Sequence, residues 1–179
     1  LVGREAELAR TAALLDAAAL GRGGSLAIVG APGSGRSSLL HRAAKEGAAR
    51  EFSVRHAVGR RAEQQVPGAL THELLGRPVH DPVELLAAFI ALADGAPLLV
   101  AIDDLHLADV ASAAACAYTA RRLVGTRVAL LLSLGGAALP PEVDLGGVEQ
   151  LVLDGLEAAA VADLFELSLI HISEPTRPY

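Results

Sequence analysis

The sequence contains no methionine and a single cysteine, Cys116. One cysteine excludes an internal disulfide, and without a basic leader ahead of an apolar signal core the chain is expected to be cytoplasmic. The lack of methionine, with Leu1 at the first position, leads to the expectation that the natural start lies upstream or was lost. Long apolar runs are missing too. The longest, residues 98–102 and 128–132, fall far short of the roughly 20 residues that a membrane-spanning helix needs, so no membrane partner is expected. Basic clusters are scarce: the adjacent pairs are Arg60-Arg61 and Arg121-Arg122 in a chain of formal net charge -6, which provides no electrostatic footprint for nucleic acid. The six histidines (His41, His56, His72, His80, His106 and His171) have no ligand spacing with cysteines or carboxylates, so a zinc cage is not expected.

What is present argues for one globular domain. The chain has 179 residues, 52% of them hydrophobic and 20% charged, enough to bury a core and too apolar for disorder. Leu8, Ala12, Leu15 and Ala19 recur at helical spacing, and the glycines of residues 21–24 stop the pattern. Residues 25–30 (SLAIVG) are apolar on both faces, as in a strand covered on both sides of a parallel sheet. A Gly-rich loop and a helix (SSLLHRAAKEGAAR) follow, and residues 51–58 alternate as a second strand. Residues 59–80 mix Gly, Pro and polar side chains and carry no readable period. Residues 81–94 predict a helix with Asp81 as N-cap and Pro82 in the first turn. PLLVAIDD supplies a third strand, residues 108–124 a helix, and residues 127–133 and 149–153 a fourth and fifth strand. Strands alternating with helices imply right-handed crossovers and an α/β fold, a parallel sheet with helices on both sides in three αβα layers.

GAPGSGRSS, residues 30–38, is the strongest motif. Gly30, Gly35 and Ser37 fit GxxxxGK[ST] except that Arg36 replaces the lysine, and a buried strand before and a helix after are the context a P-loop requires. Glycines let successive N–H groups surround a phosphate, here from Gly33, Ser34, Gly35, Arg36, Ser37 and Ser38, while the new helix turns its positive end toward the anion. Ser37 is expected to ligate Mg2+. A dinucleotide fingerprint is incomplete, because Ser38 stands where a third glycine is needed. Arginine is longer and planar, and its fork prefers two oxygens at once, so the expectation is retained binding with low turnover.

PLLVAIDDLHLAD, residues 97–109, ends an apolar strand in two carboxylates. Asp103 is expected to hold Mg2+ through water together with Ser37, and Asp104 to orient or activate the attacking water, the alternative for Asp104 being a solvated turn or helix cap. Asp109 is read as the cap of the next helix, and His106 as a structural or surface residue with a role at the nucleotide as the competing reading. Ser133, at the end of the fourth strand, is the polar residue placed to sense an outer phosphate. Arg121 and Arg122 suit a solvated helix face, with an arginine finger as the other reading.

With these residues in place the chain resembles the AAA-like, Orc1-like (STAND) P-loop ATPase domains that open large ATP-binding LuxR-type transcription regulators. The resemblance covers residues 1 to about 165 and rests on LVGREAEL, GAPGSGRSSLL, LLVAIDDLHLAD, ARRL and LDGLEAAAVADLF. It implies that Val2, Gly3 and Arg4 lie beside the adenine, that residues 153–165 lead toward a helical lid, and that ATP with Mg2+ is the ligand. It further implies that bound ATP favours an assembled, active state, with self-association or a regulatory protein as partners and DNA read only through a separate C-terminal domain. The departures are Arg36 for Lys, Leu107 where a Trp commonly follows the His, and LSLGG where an Arg-containing sensor is common. They bear on hydrolysis rather than on fold. A non-catalytic nucleotide-gated scaffold is the alternative that the sequence leaves open, while a small-molecule P-loop kinase is disfavoured because Asp103 and Asp104 stand at a Walker B position and no acceptor-binding lid is recognisable. The chain is therefore divided into an ATPase core fragment, residues 1–165, and a tail, residues 166–179. LSLIHISEPTRPY in that tail resembles a translated transposase sequencing adapter and is read as non-native.

Overall fold

The computed structural model describes residues 3–136 and 139–153. Ten elements run in the order α1 (Glu5–Ala19), β1 (Gly24–Gly30), α2 (Arg36–Ala49), β2 (Ser53–Val58), α3 (Ala69–Leu75), α4 (Pro82–Leu92), β3 (Leu98–Asp103), α5 (Val110–Ala120), β4 (Val128–Leu134) and β5 (Glu149–Leu153). The five strands form one parallel sheet in the order β2-β3-β4-β1-β5. This is the α/β architecture that the alternation of elements predicts. Val2 and residues 154–179, with the expected lid approach and tail, lie outside the described residues.

Both faces of the sheet are covered, and the side chains of β3 and β4 show why these strands are apolar throughout. Leu98, Val100 and Ile102 of β3 and Val128, Leu130 and Leu132 of β4 point into one core with Leu70 and Leu74 of α3, Phe89 of α4 and Cys116 of α5. The intervening Leu99, Ala101, Ala129 and Leu131 enter the opposite core with Leu15 of α1 and Leu39, Leu40 and Ala43 of α2. The period of two sends alternate residues to opposite faces, so a strand covered twice has no polar face. Close packing reaches the helix backbone: a Cβ on Gly47 of α2 would lie 2.7 Å from Leu99 Cδ2. No helix among the described residues is long and apolar enough to cross a membrane.

Caps read from sequence are in place. Asp81 accepts hydrogen bonds from the N–H groups of Val83 and Glu84, with Pro82 at the first helical position. Asp109 caps α5 through the Ser112 N–H at 2.9 Å and also accepts from Gly68 N–H at 2.9 Å and Leu70 N–H at 3.4 Å. The second pair of bonds ties residues 59–80 to α5. That segment, without a period in the sequence, holds a short 3-10 turn and α3, which begins and ends at left-handed Gly68 and Gly76. Helix α5 stops at Ala120, short of the expected residue 124.

Asp109 makes the stability acid-sensitive. Burial would raise its pKa, but the N–H groups of Ser112, Gly68 and Leu70 outweigh that and hold the carboxyl below its usual range. A depressed folded-state value gives stability that is complete above the ordinary carboxylate pKa and is lost as pH falls through the folded value. Asp109→Ala is accordingly expected to cost about 2 kcal/mol at neutral pH. The deficit should shrink as pH falls below the ordinary carboxylate range and through the lower folded-state value. Chemical denaturation across pH checks this, and a deficit constant from neutral to acid pH would contradict it. Cys116 is the opposite case: complete burial pushes its thiol up to about 12, which leaves it without nucleophilic character near neutral pH.

Candidate functional site

The carboxyl ends of β1, β3 and β4 meet at one edge of the sheet, where ligands of open α/β sheets are bound. Strand β1 ends at Gly30, and a Cβ there would collide with the Ser34 hydroxyl and lie 3.1 Å from the Leu153 carbonyl, so the loop folds back only over a glycine. Ser34 N–H closes a turn on the Ala31 carbonyl at 3.1 Å. Gly33 and Gly35 have φ of 82° and 92°, in the left-handed region that a side chain disfavours. Helix α2 then starts at Arg36 with no side chain capping its first turn. Its first amides are left to an external acceptor, and the exposed Ser37 and Ser38 stand on that turn. The Ser34 hydroxyl is buried without a hydrogen-bond partner among the described residues.

Arg4 supports the loop from behind. It is 6% exposed, pairs with Glu7 at 2.7 Å and donates from Nη2 to the Ser34 carbonyl at 3.1 Å. Gly3 precedes it at φ 70°. The structure therefore places Arg4 of the N-terminal box against the phosphate loop itself.

Strand β4 lies between β1 and β3 and brings Ser133 to the acidic pair. Ser133 is fully buried, donates its hydroxyl proton to Asp103 Oδ1, and accepts from the Asp104 N–H at 2.8 Å. Asp103 Oδ1 also accepts from Asp104 N–H at 3.0 Å. Among the described residues, both bonds to the Asp103 carboxyl are made through Oδ1. Asp104 itself is left-handed, φ 48° and ψ 47°, a conformation that Asp tolerates better than most residues. Its carboxylate does not stand alone, since Arg36 Nη2 lies 3.1 Å from Asp104 Oδ1. Sequence reasoning assigned these two residues separate roles and gave no sign of the pair.

His106 and Gly135 complete the wall. His106 Nδ1 accepts the Gly135 N–H at 3.0 Å, which puts the proton of the neutral ring on Nε2. Burial lowers the His106 pKa, aided by the Arg36 cation and opposed by the carboxylates of Asp104 and Asp103. The structural reading of His106 fits this bond. Two glycines that the sequence did not single out are needed here: a Cβ on Gly135 would sit 2.6 Å from His106 Nε2, and one on Gly59 would collide with the Asp104 carbonyl. Their only sequence signal is position, each following directly or within a residue on a strand that ends at the site. Arg121 pairs with Asp144, and Arg122 stacks on Tyr118 at 3.6 Å from the ring centre, so both are engaged on their own surface. Among the described residues no group of three or more His, Cys, Asp or Glu could hold a metal ion by itself.

The model of the AAA ATPase domain family matches residues 1–132. Among solved structures, a DNA replication initiation factor superposes with a TM-score of 0.64 at 14% identity, over 99% of this chain and 54% of that one. A chain of the HORMA:CdnC:Trip13 complex of E. coli MS115-1 gives 0.60 at 18% identity, over 98% and 69%. AMPPCP-bound DnaA from Aquifex aeolicus gives 0.60 at 14% identity, over 98% and 53%. At these identities the likeness is one of fold. The chain spans about half the length of several such structures, including 47% of C. elegans PCH-2. No curated protein matches the sequence significantly.

Proposed function

This chain belongs to the AAA ATPase domain family, and from that premise we propose that it binds ATP with Mg2+ and serves as a slowly hydrolysing switch module of a larger, signal-responsive transcription regulator. The observation that carries the nucleotide reading is the meeting of the phosphate loop and Asp103 across β4, with two buried polar atoms, Ser34 Oγ and Arg36 Nη1, lacking partners among the described residues beside the uncapped start of α2. Orphaned buried donors at a helix N-terminus suit a polyanion. Open space beyond Gly33 and Gly35, where a Cβ would meet nothing within 4 Å, leaves the backbone amides reachable. The fold shared with AMPPCP-bound DnaA supports the same ligand class.

In this reading the amides of Gly33 to Ser38 hold the phosphates, and Gly3 and Arg4, with Val2, belong to the adenine side. Ser37 and Asp103 would hold Mg2+. The metal supplies neutralisation of outer-phosphate charge, and its preference for water and phosphate oxygens agrees with a site of few protein ligands. Ser133 holds the Asp103 carboxyl in place and stands next to the position of an outer phosphate. Asp104 would orient or activate water once clear of Arg36. A switch requires different affinities in two conformations rather than speed, so slow turnover is compatible with it. The regulator context, self-association, contact with DNA through a separate domain and a cytoplasmic location belong to the same proposal.

The Arg36–Asp104 pair favours a second reading, a non-catalytic nucleotide-gated scaffold, since a base tied to an arginine is a poor base. Calorimetry with Mg-ATP and phosphate release from the intact chain separate the two: binding without any phosphate release selects the scaffold. Arg36→Lys, which shortens the cation and removes its fork, is expected to raise the release rate about tenfold. An unchanged rate in a folded variant that still binds ATP would contradict the role given to Arg36.

A further inference from the structure

We propose that Asp104 and the outermost phosphate of a nucleoside triphosphate compete for the Arg36 guanidinium, so that this ion pair biases the site toward nucleoside diphosphate. The inference rests on the nucleotide reading above and concerns which nucleotide the site prefers.

The pair is well placed for such a role. Its side chains are 11% and 28% exposed, so the attraction between Nη2 and Oδ1 is less weakened by solvent than on an open surface. Arg36 is nevertheless half-satisfied. Nη1 is buried and has no hydrogen-bond partner among the described residues. It faces Gly135, where a Cβ would lie 3.3 Å away, and the His106 ring closes the same wall. A guanidinium has a planar fork that two oxygens on one group can fill, and a terminal phosphate offers three oxygens where Asp104 here engages one nitrogen.

Charge then separates the two nucleotides. A diphosphate can place its charge over the loop amides while Arg36 stays with Asp104. A triphosphate brings a further anionic group to the Asp104 carboxylate, and either the arginine turns to the phosphate and leaves Asp104 unpaired, or two anions share one cation. Both arrangements cost triphosphate part of the attraction that an unpaired Arg36 would supply, a cost that diphosphate escapes. A lysine would not create this competition to the same degree, because its compact ammonium lacks the fork.

Calorimetry on the intact chain with Mg2+, using ADP and the non-hydrolysable AMPPCP, tests the competition without interference from turnover. The wild type is expected to bind ADP about tenfold more tightly than AMPPCP. Asp104→Asn keeps a residue that accepts the left-handed backbone and should tighten AMPPCP about tenfold while changing ADP less than about twofold. In an Arg36→Lys background the same Asp104→Asn change should improve AMPPCP by no more than about threefold. An equal gain in both backgrounds would reduce the effect to repulsion between carboxylate and phosphate and overturn the proposal, as would equal gains for ADP and AMPPCP. If neither nucleotide binds to any folded variant, the nucleotide reading itself fails, a result distinct from binding without discrimination.

Discussion

Asp103→Asn is expected to lower Mg-dependent ATP hydrolysis by about two orders of magnitude while leaving the fold in place. The substitution is close to isosteric, and an amide oxygen at the Oδ1 position still accepts the Ser133 hydroxyl and the Asp104 N–H. What it removes is the negative charge, the property that a carboxylate brings to a metal ion and to its bound water. Magnesium dependence of nucleotide affinity should weaken along with the rate. Thermal unfolding provides the control. If the variant melts with the wild type and hydrolyses ATP equally fast, Asp103 is a structural acceptor for β4 and the metal role assigned to it is wrong. Ser133→Ala complements the test, because it frees the Asp103 carboxyl to turn without changing its charge.

Gly59→Ala should be the most damaging single methyl group at the site. Gly59 follows β2, and its N–H extends the β2–β3 ladder by bonding the Asp103 carbonyl at 2.8 Å. An added Cβ would collide with the Asp104 carbonyl and lie 2.8 Å from the Ala108 nitrogen. Both obstacles are backbone, so no rotamer change can relieve them. Either β2 pulls away from β3 or the left-handed turn at Asp104 shifts and carries the carboxylate with it. The expected cost is about 3 kcal/mol, in the upper range of overpacking, and nucleotide binding should fall with it. Gly95→Ala is the matched control, since a Cβ there meets nothing within 4 Å and its φ is not left-handed. Equal melting temperatures for the two variants would show that the close approach at Gly59 is tolerated.

The elements of this fold are legible because their signals are local. The alternating and continuous apolar runs of residues 25–30, 98–103 and 128–134 mark strands whatever their neighbours, and Asp81 and Asp109 mark helix starts through bonds spanning two or three residues. The phosphate loop is legible for the same reason: Gly33 and Gly35 are required by backbone angles within the loop itself. Residues 59–80 resist such reading because they are held from outside. Gly68 and Leu70 bond the carboxylate of Asp109, some way along the chain, and Thr71 closes the return through Val79.

From the order of its residues alone this chain determined a parallel α/β sheet with a phosphate loop after its first strand and carboxylates at the end of its third, since periodicity, caps and glycine conformation act over a few residues. Only the tertiary structure decided that β4 is inserted between those two strands. That insertion places the Ser133 hydroxyl on Asp103, lets Gly135 meet His106, and sets Arg36 against Asp104. Strand order depends on contacts between segments far apart in the chain, and no local pattern records which of several equally apolar strands will be neighbours.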